Sequence, residues 1–168
     1  MKILIISDNH GYHDKGILEH VIWADEVWHA GDWLNTALHT EIMKLKKPVM
    51  GVYGNIDGMD VKLEYPAIQF FEREGYRIFI THIGGKPGKY PAKVQSYLRQ
   101  NKPHIYVCGH SHMLQVQRDP AFNNLLYLNP GACGTHGFHR VRTALRFQIE
   151  PQLIHSMEVV EWPKNSVK

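Results

Sequence analysis

Five short apolar runs each end in a side chain that binds metals, and this rhythm constrains the fold more than any other feature. Ile3-Leu4-Ile5-Ile6 leads through Ser7 into Asp8-Asn9-His10. Glu26-Val27-Trp28-His29-Ala30 leads into Gly31-Asp32, and Val49-Met50-Gly51-Val52-Tyr53 into Gly54-Asn55. Tyr76-Arg77-Ile78-Phe79-Ile80 leads into Thr81-His82, and Ile105-Tyr106-Val107-Cys108 into Gly109-His110-Ser111-His112. Short β-branched runs of this kind read as strands buried on both faces, as in parallel sheets. Open α/β sheets place their ligands beyond the carboxyl ends of such strands. The five runs therefore predict one polar cluster along a sheet edge, made of Asp8, His10, Asp32, Asn55, His82, His110 and His112.

The connections support an α/β chain. Lys15 to Ala24 carries Ile17, Leu18, Val21 and Ile22 at helical spacing, with Asp14 as N-cap. Strand, helix and strand then form a right-handed βαβ unit. A second helix begins at Asn35 or Thr36, presents Leu38, Ile42 and Leu45 inward, and ends before Pro48. The third strand is expected to reach Asn55. The pattern then changes. Ala67 to Glu72 and Tyr76 to Ile80 flank Arg73-Glu74-Gly75 as a hairpin. Gly84 to Pro91 reads as an irregular loop. Ala92 to Lys102 reads as a helix stopped by Pro103. Leu114 to Arg118, Leu125 to Leu128, Thr143 to Ile149 and Leu153 to Val160 read as strands. The predicted architecture is two mixed sheets packed face to face as a β-sandwich with flanking helices, in a single domain over residues 1–168.

A chain of 168 residues is long enough to bury a proper core. No apolar run approaches a membrane span, and the first strand starts at once, so we expect no leader and a cytoplasmic protein. Cys108 and Cys133 belong to no CxxC pair and read as buried thiols. A formal charge of +3 is too mild to argue for a nucleic-acid partner.

Seven donors exceed the four of one tetrahedral zinc site. They suit two divalent ions sharing a carboxylate. Oxygen and nitrogen donors without thiolate favour manganese, with iron, zinc or nickel as alternatives. Two ions about 4 Å apart can generate a hydroxide and clamp a phosphoryl group.

Asp8-Asn9-His10, Gly31-Asp32, Gly54-Asn55, His82 and Gly109-His110-Ser111-His112 resemble, in order, the five-block signature of the calcineurin-like metallophosphoesterases. The short length and Asn129-Pro130-Gly131 are most similar to the small prokaryotic phosphodiesterase branch, which includes a retromer subunit that uses the fold as a scaffold. The resemblance implies that Asp8, His10 and His112 hold one metal, that Asn55, His82 and His110 hold the other, and that Asp32 bridges them. It implies catalytic roles for Asp32, Asn55 and His110, and a small phosphoester as substrate. Many members carry a histidine directly after the block-three asparagine. Here that position is Ile56, which cannot give a proton to a leaving group. General acid help is worth roughly 10²–10⁴-fold, so activated esters or diesters should be favoured over alkyl monoesters.

Other residues carry weaker signals. Asn9, between two ligands, joins Asn55 as a candidate substrate contact. His29 reads as a core histidine or as a partner that orients a ligand. His13, His136 and His139 read as surface histidines with the option of replacing the missing acid. Arg140 and Arg142 could grip phosphate or belong to a solvated strand face. Lys86 and Lys89 read as a solvated pair that could draw an anion. A scaffold on the same fold is the rival function, though a scaffold can lose ligands and none of the seven is lost. A nuclease would call for a basic, aromatic-lined groove, and no dense Lys/Arg tract is present. A homo-oligomer remains open.

Overall fold

The first apolar run becomes β1 (Lys2–Ile6), and its side chains alternate between two different cores. Ile3 and Ile5 point into an apolar layer between two sheets, while Leu4 and Ile6 point into a layer beneath helices. This is the period of two that an extended backbone imposes. It explains why the run is apolar throughout. In the computed structural model, residues 1–164 are described. The last four residues of the expected 1–168 domain lie outside them.

One sheet has the order β10-β9-β1-β2-β3. It contains β2 (Glu26–His29), β3 (Val49–Gly51), β9 (Val141–Glu150) and β10 (Leu153–Pro163) beside β1. β1, β2 and β3 are parallel, and β9 runs antiparallel to β1. The other sheet is built from β4 (Ile68–Arg73), β5 (Tyr76–Thr81), β6 (Ile105–Val107), β7 (Leu114–Asp119) and β8 (Leu125–Pro130), in the order β4-β5-β6-β8-β7. There β5, β6 and β8 are parallel. The fold is thus α/β with two mixed sheets, as expected.

Helices cover both outer faces. α1 (Lys15–Trp23) begins where the Asp14 carboxylate accepts the Ile17 N–H at 3.0 Å, and it buries Ile17 and Val21. α2 (Ala37–Lys44) buries Leu38 and Ile42 in the same layer. Burying one such side chain contributes about 1.5–3 kcal/mol. α4 (Ala92–Asn101) lays Val94 and Leu98 on the aromatic outer face of the second sheet, against Phe79 and Tyr106.

Two expectations need correction. β3 ends at Gly51 rather than running on to Asn55. Beyond it, Tyr53 N–H bonds back to Pro66 O at 3.0 Å instead of extending the ladder. A further helix, α3 (Met59–Glu64), went unforeseen because it buries only Val61 and so leaves no apolar stripe to detect.

The register brings the ligand-bearing loops to one level. Ile6 pairs with His29 and His29 with Gly51 in the first sheet; Ile80 pairs with Val107 and Val107 with Leu128 in the second. Loop bonds continue the alignment past the strand ends. Asp8 N–H donates to Gly31 O at 2.9 Å, His10 N–H to Asp32 O at 3.0 Å, and Gly109 N–H to His82 O at 3.0 Å.

Candidate metal centre

All seven predicted side chains meet at this edge, in two groups. Asp8, His10 and His112 place one nitrogen or carboxylate oxygen each within 4.8 Å of one another, and so do Asp32, His82 and His110. Asp32 faces both groups. Its Oδ1 lies 3.1 Å from His82 Nε2 and its Oδ2 lies 3.6 Å from His10 Nε2. Asn55 Oδ1 is 3.1 Å from the same His82 nitrogen.

The local backbone is held in an unusual conformation to achieve this. Asp8, His10, Asp32, His110 and His112 all have φ between 46° and 66°, in the left-handed region. Asp and His visit that region more readily than most residues, at about 1–2 kcal/mol each. Five such residues at one spot are sustained by the packing around them, as strain at functional sites usually is. Of the glycines before Asp32, Asn55 and His110, Gly31 takes φ 96°, a sharp turn that favours glycine, and the other two have a different duty. Gly54 and Gly109 do not sit in the left-handed region. A Cβ at Gly54 would strike the Asp32 carboxylate, and one at Gly109 would strike Ser7 Oγ and Asp8. They permit close approach.

The imidazoles are oriented from behind. His82 Nδ1 donates to Ala30 O at 2.7 Å, which leaves Nε2 facing the oxygens of Asp32 and Asn55. Burial alone would lower the His82 pKa, but its hydrogen bond to Asp32 and the charges of Asp8 and Asp32 raise it. Conversely, burial would raise the Asp32 pKa, and His82 together with the Ile56 N–H brings it below the usual range. For His10 burial wins over the charges of Asp32 and Asp8, and its pKa falls below the ordinary imidazole value. A knot of acceptors of this kind attracts a cation.

Two atoms make that demand concrete. Asp8 is fully buried, and its Oδ1 has no hydrogen-bond donor aligned on it, with His112 Nε2 at 3.1 Å. His10 Nε2 is likewise buried without a hydrogen-bond partner. Buried polar atoms are normally paired. Asp8 Oδ2, by contrast, accepts from Ser7 Oγ at 2.5 Å and from His110 N–H at 3.0 Å. The side of the carboxylate that is left over faces the other ligands. The donor set therefore fits divalent metal ions.

Above the ligands lies a cleft of about 600 Å³. Its rim is apolar, made by Ile56, Met113 and the fully exposed Phe138. His136 and His139 stand in it too. His136 packs on His10 with ring centres 4.6 Å apart, and His139 Nε2 donates to Gly134 O at 3.0 Å. Among the described residues, no lysine or arginine lines this cleft.

The site is that of a known family. The profile of the calcineurin-like phosphoesterase superfamily domain matches residues 1–152. The chain belongs to the calcineurin-like phosphoesterase superfamily. The side chains at the sheet edge are of the types that hold divalent metals, as a metallophosphoesterase domain requires. A probable metallophosphoesterase of Mycoplasma pneumoniae is 28% identical over 137 residues, covering 78% of each chain. Among solved structures, Vps29 of Entamoeba histolytica complexed with Zn²⁺ aligns with a TM-score of 0.73 at 18% identity, covering 98% of this chain and 100% of that one. An archaeal phosphodiesterase aligns at 0.72 and 22% identity, covering 95% and 100%. A predicted phosphoesterase of Streptococcus pneumoniae aligns at 0.68 and 21%, covering 97% and 89%. These structures share the fold.

Two sequence readings change, those of Asn9 and Arg142, and the His29 reading is decided. Asn9 does not face the cleft. It is fully buried, its Oδ1 takes a hydrogen bond from His29 Nε2 at 3.0 Å, and its Nδ2 donates to Tyr12 O at 3.2 Å. A substrate-binding role is thereby removed. His29 is the core histidine that orients this loop. Its Nδ1 accepts the Gly31 N–H, its ring stacks on Trp33 at 3.4 Å, and burial holds its pKa far down. Arg142 neither grips phosphate nor faces solvent. It is buried between the Tyr12 and Trp162 rings and bonds to Cys133 O and Asp14.

Sequence reasoning missed two supporting residues. Asp57 is buried and accepts the N–H groups of Gly54 and Leu34, each at 2.7 Å. It ties the Asn55 loop to the Asp32 loop. The signal was there in Gly54-Asn55-Ile56-Asp57, since an aspartate in a turn bonds to nearby backbone. Asn129 donates to Gly109 O at 3.0 Å and Ser111 Oγ at 3.1 Å, which sets the His110–His112 loop.

Proposed function

We propose that the chain is a phosphodiesterase with a dinuclear centre, using two divalent cations, with manganese first and zinc, nickel or iron as alternatives. The observation that carries this reading is the pair of three-residue groups with Asp32 turned toward both. Asp8, His10 and His112 would hold one cation; Asn55, His82 and His110 would hold the other, and Asp32 would bridge. Bound there, such cations supply a nucleophilic hydroxide at neutral pH and neutralise charge that develops at phosphorus. The protein's own residues position and orient. Ala30 O fixes the His82 tautomer, Ser7 and the His110 N–H fix Asp8, and Asp57 fixes the loops of Asp32 and Asn55. Asn55 and His110 line the cleft, where they can reach the phosphoryl oxygens as well as a cation. His136 and His139 line the cleft, where either could give a weaker substitute for the proton that a histidine at position 56 would supply.

Diesters are favoured over monoesters on charge. A monoester is a dianion above its second pKa of about 6, and beyond the two cations the cleft brings no lysine or arginine to meet the extra charge. A diester carries one charge and two organic groups, which suit Ile56, Met113 and Phe138. Two buried free thiols suit a reducing cytoplasm, and no helix among the described residues is long and apolar enough to cross a membrane.

The test is a turnover panel with manganese, zinc and nickel, comparing bis-p-nitrophenyl phosphate with p-nitrophenyl phosphate. A higher kcat/KM for the diester is expected. Equal or higher values for the monoester overturn the diester assignment. No turnover with any metal favours a protein-binding role on this fold, which the likeness to Vps29 keeps as the second reading.

A further inference from the structure

Beside the metal cleft is a second pocket, of about 390 Å³, which the chemistry above leaves unused. The two share a wall formed by His110, Ser111 and Met113. Across from that wall stand Ile83, Pro91 and Tyr127, together with Lys86 and Lys89. Ile83 and Met113 leave 49% and 68% of their surface in water, so both offer apolar surface that a bound group could cover. The loop that carries the lysines is fixed at its base. Tyr106 Oη donates to Gly84 O at 3.1 Å, and Tyr127 Oη donates to Gly85 O at 2.8 Å. Lys89 N–H closes the tip onto Lys86 O at 2.8 Å. The pocket is thus preformed, with apolar walls and two exposed lysines. The cations that the metal cleft lacks stand next door.

We propose that this pocket seats one ester substituent of the substrate, a nucleoside-sized group that carries a second phosphate. An apolar ring body would lie against Ile83, Pro91 and Met113, and its outer phosphate would meet Lys86 and Lys89, as point-charge phosphate binders. A volume of about 390 Å³ lies within the range of small-molecule pockets and suits one such group. The substrate class is then a short 5′-phosphorylated dinucleotide. Hydroxide bonds to phosphorus, the P–O bond to one sugar breaks, and the released alkoxide takes up a proton, to give a monoester and an alcohol. This inference rests on the diesterase reading above.

The probes are the 5′-phosphorylated dinucleotide pApA and the same dinucleotide without that phosphate, ApA. The readout is the ratio of their kcat/KM values. In the natural chain the ratio should favour pApA about tenfold or more. The double variant Lys86→Ala/Lys89→Ala should bring it near one, mainly through KM, and Lys86→Arg/Lys89→Arg should largely restore it. A ratio near one in the natural chain, or a preference that survives removal of both lysines, overturns the proposal. Calorimetric binding separates the two readings. If bis-p-nitrophenyl phosphate is never turned over, the diesterase reading falls, and binding still decides the pocket. Adenosine 3′,5′-bisphosphate should then bind at least tenfold tighter than adenosine 3′-monophosphate in a lysine-dependent way; equal affinities refute it.

Discussion

Replacing Asp57 tests whether the loops that carry Asp32 and Asn55 are held together by one buried carboxylate. That carboxylate accepts the Gly54 N–H and the Leu34 N–H, each at 2.7 Å, at a residue only 2% exposed. Alanine would leave both donors without an acceptor. A hydrogen bond to a charged group is worth about 1.5–3 kcal/mol, and a buried donor left unpaired costs about 1–3 kcal/mol. The Gly54 amide is buried, while Leu34 is exposed enough for water to replace part of its bond. The expected cost of Asp57→Ala is about 3 kcal/mol. Asp57→Asn keeps the volume and one acceptor oxygen, and turns an NH₂ group toward the other amide, so about half that loss is expected. Urea unfolding in metal-free buffer reads both values as a lower midpoint with an unchanged m value. A second readout addresses function. Leu34 lies two residues after Asp32 and Gly54 one before Asn55, so slack here should weaken metal affinity by about 10–100-fold. If Asp57→Ala stays within about 0.5 kcal/mol of the natural chain, or Asn costs as much as Ala, the reasoning fails.

Ile56→His should restore a proton donor at the cleft and raise kcat on an alkyl phosphate by about 10²-fold, with a smaller change on bis-p-nitrophenyl phosphate; equal changes on both substrates would refute a general-acid gap. Asp14 caps α1 and pairs with Arg142 Nη1 at 2.8 Å. Burial would raise its pKa, but the bonds from Arg142, the Ile17 N–H and Tyr12 bring it below the ordinary value. A depressed carboxylate stabilises the fold above its unfolded pKa of about 3.9 and loses that contribution as pH falls through the folded value. The stability gap between the natural chain and Asp14→Asn, followed by thermal unfolding, should therefore be full at pH 6 and close below pH 4; a gap independent of pH contradicts the pairing. Burial pushes the Cys108 and Cys133 thiols up to about 12. Neither should react with a thiol reagent at pH 8 until urea is added, and fast native labelling would contradict their burial.

The strand pattern was legible because β1 and β6 are packed on both faces, so that burial reached the sequence as unbroken apolar runs. The candidate ligands were legible because most follow such a run closely, although Asn55 lies four residues past the end of β3. What the sequence hid is packing between distant segments. Arg142 looked like a surface cation, and only the closing of Tyr12, Trp162 and Cys133 around it makes it a core residue. Asn9 looked available to substrate because it lies between Asp8 and His10, yet His29, twenty residues away, holds it inward through Nε2. α3 is short and exposes Leu63, so it carries no periodic stripe. The left-handed φ values of Asp8, His10, Asp32, His110 and His112 left only a faint trace, the choice of Asp and His where a tight backbone needs them.

The central claim is that seven side chains hold two cations, with Asp32 between them. An anomalous-difference map from crystals soaked in manganese tests it most directly. The account predicts two peaks per chain, one among Asp8, His10 and His112 and one among Asn55, His82 and His110, both contacted by Asp32. A single peak, or none at full soak, would contradict it.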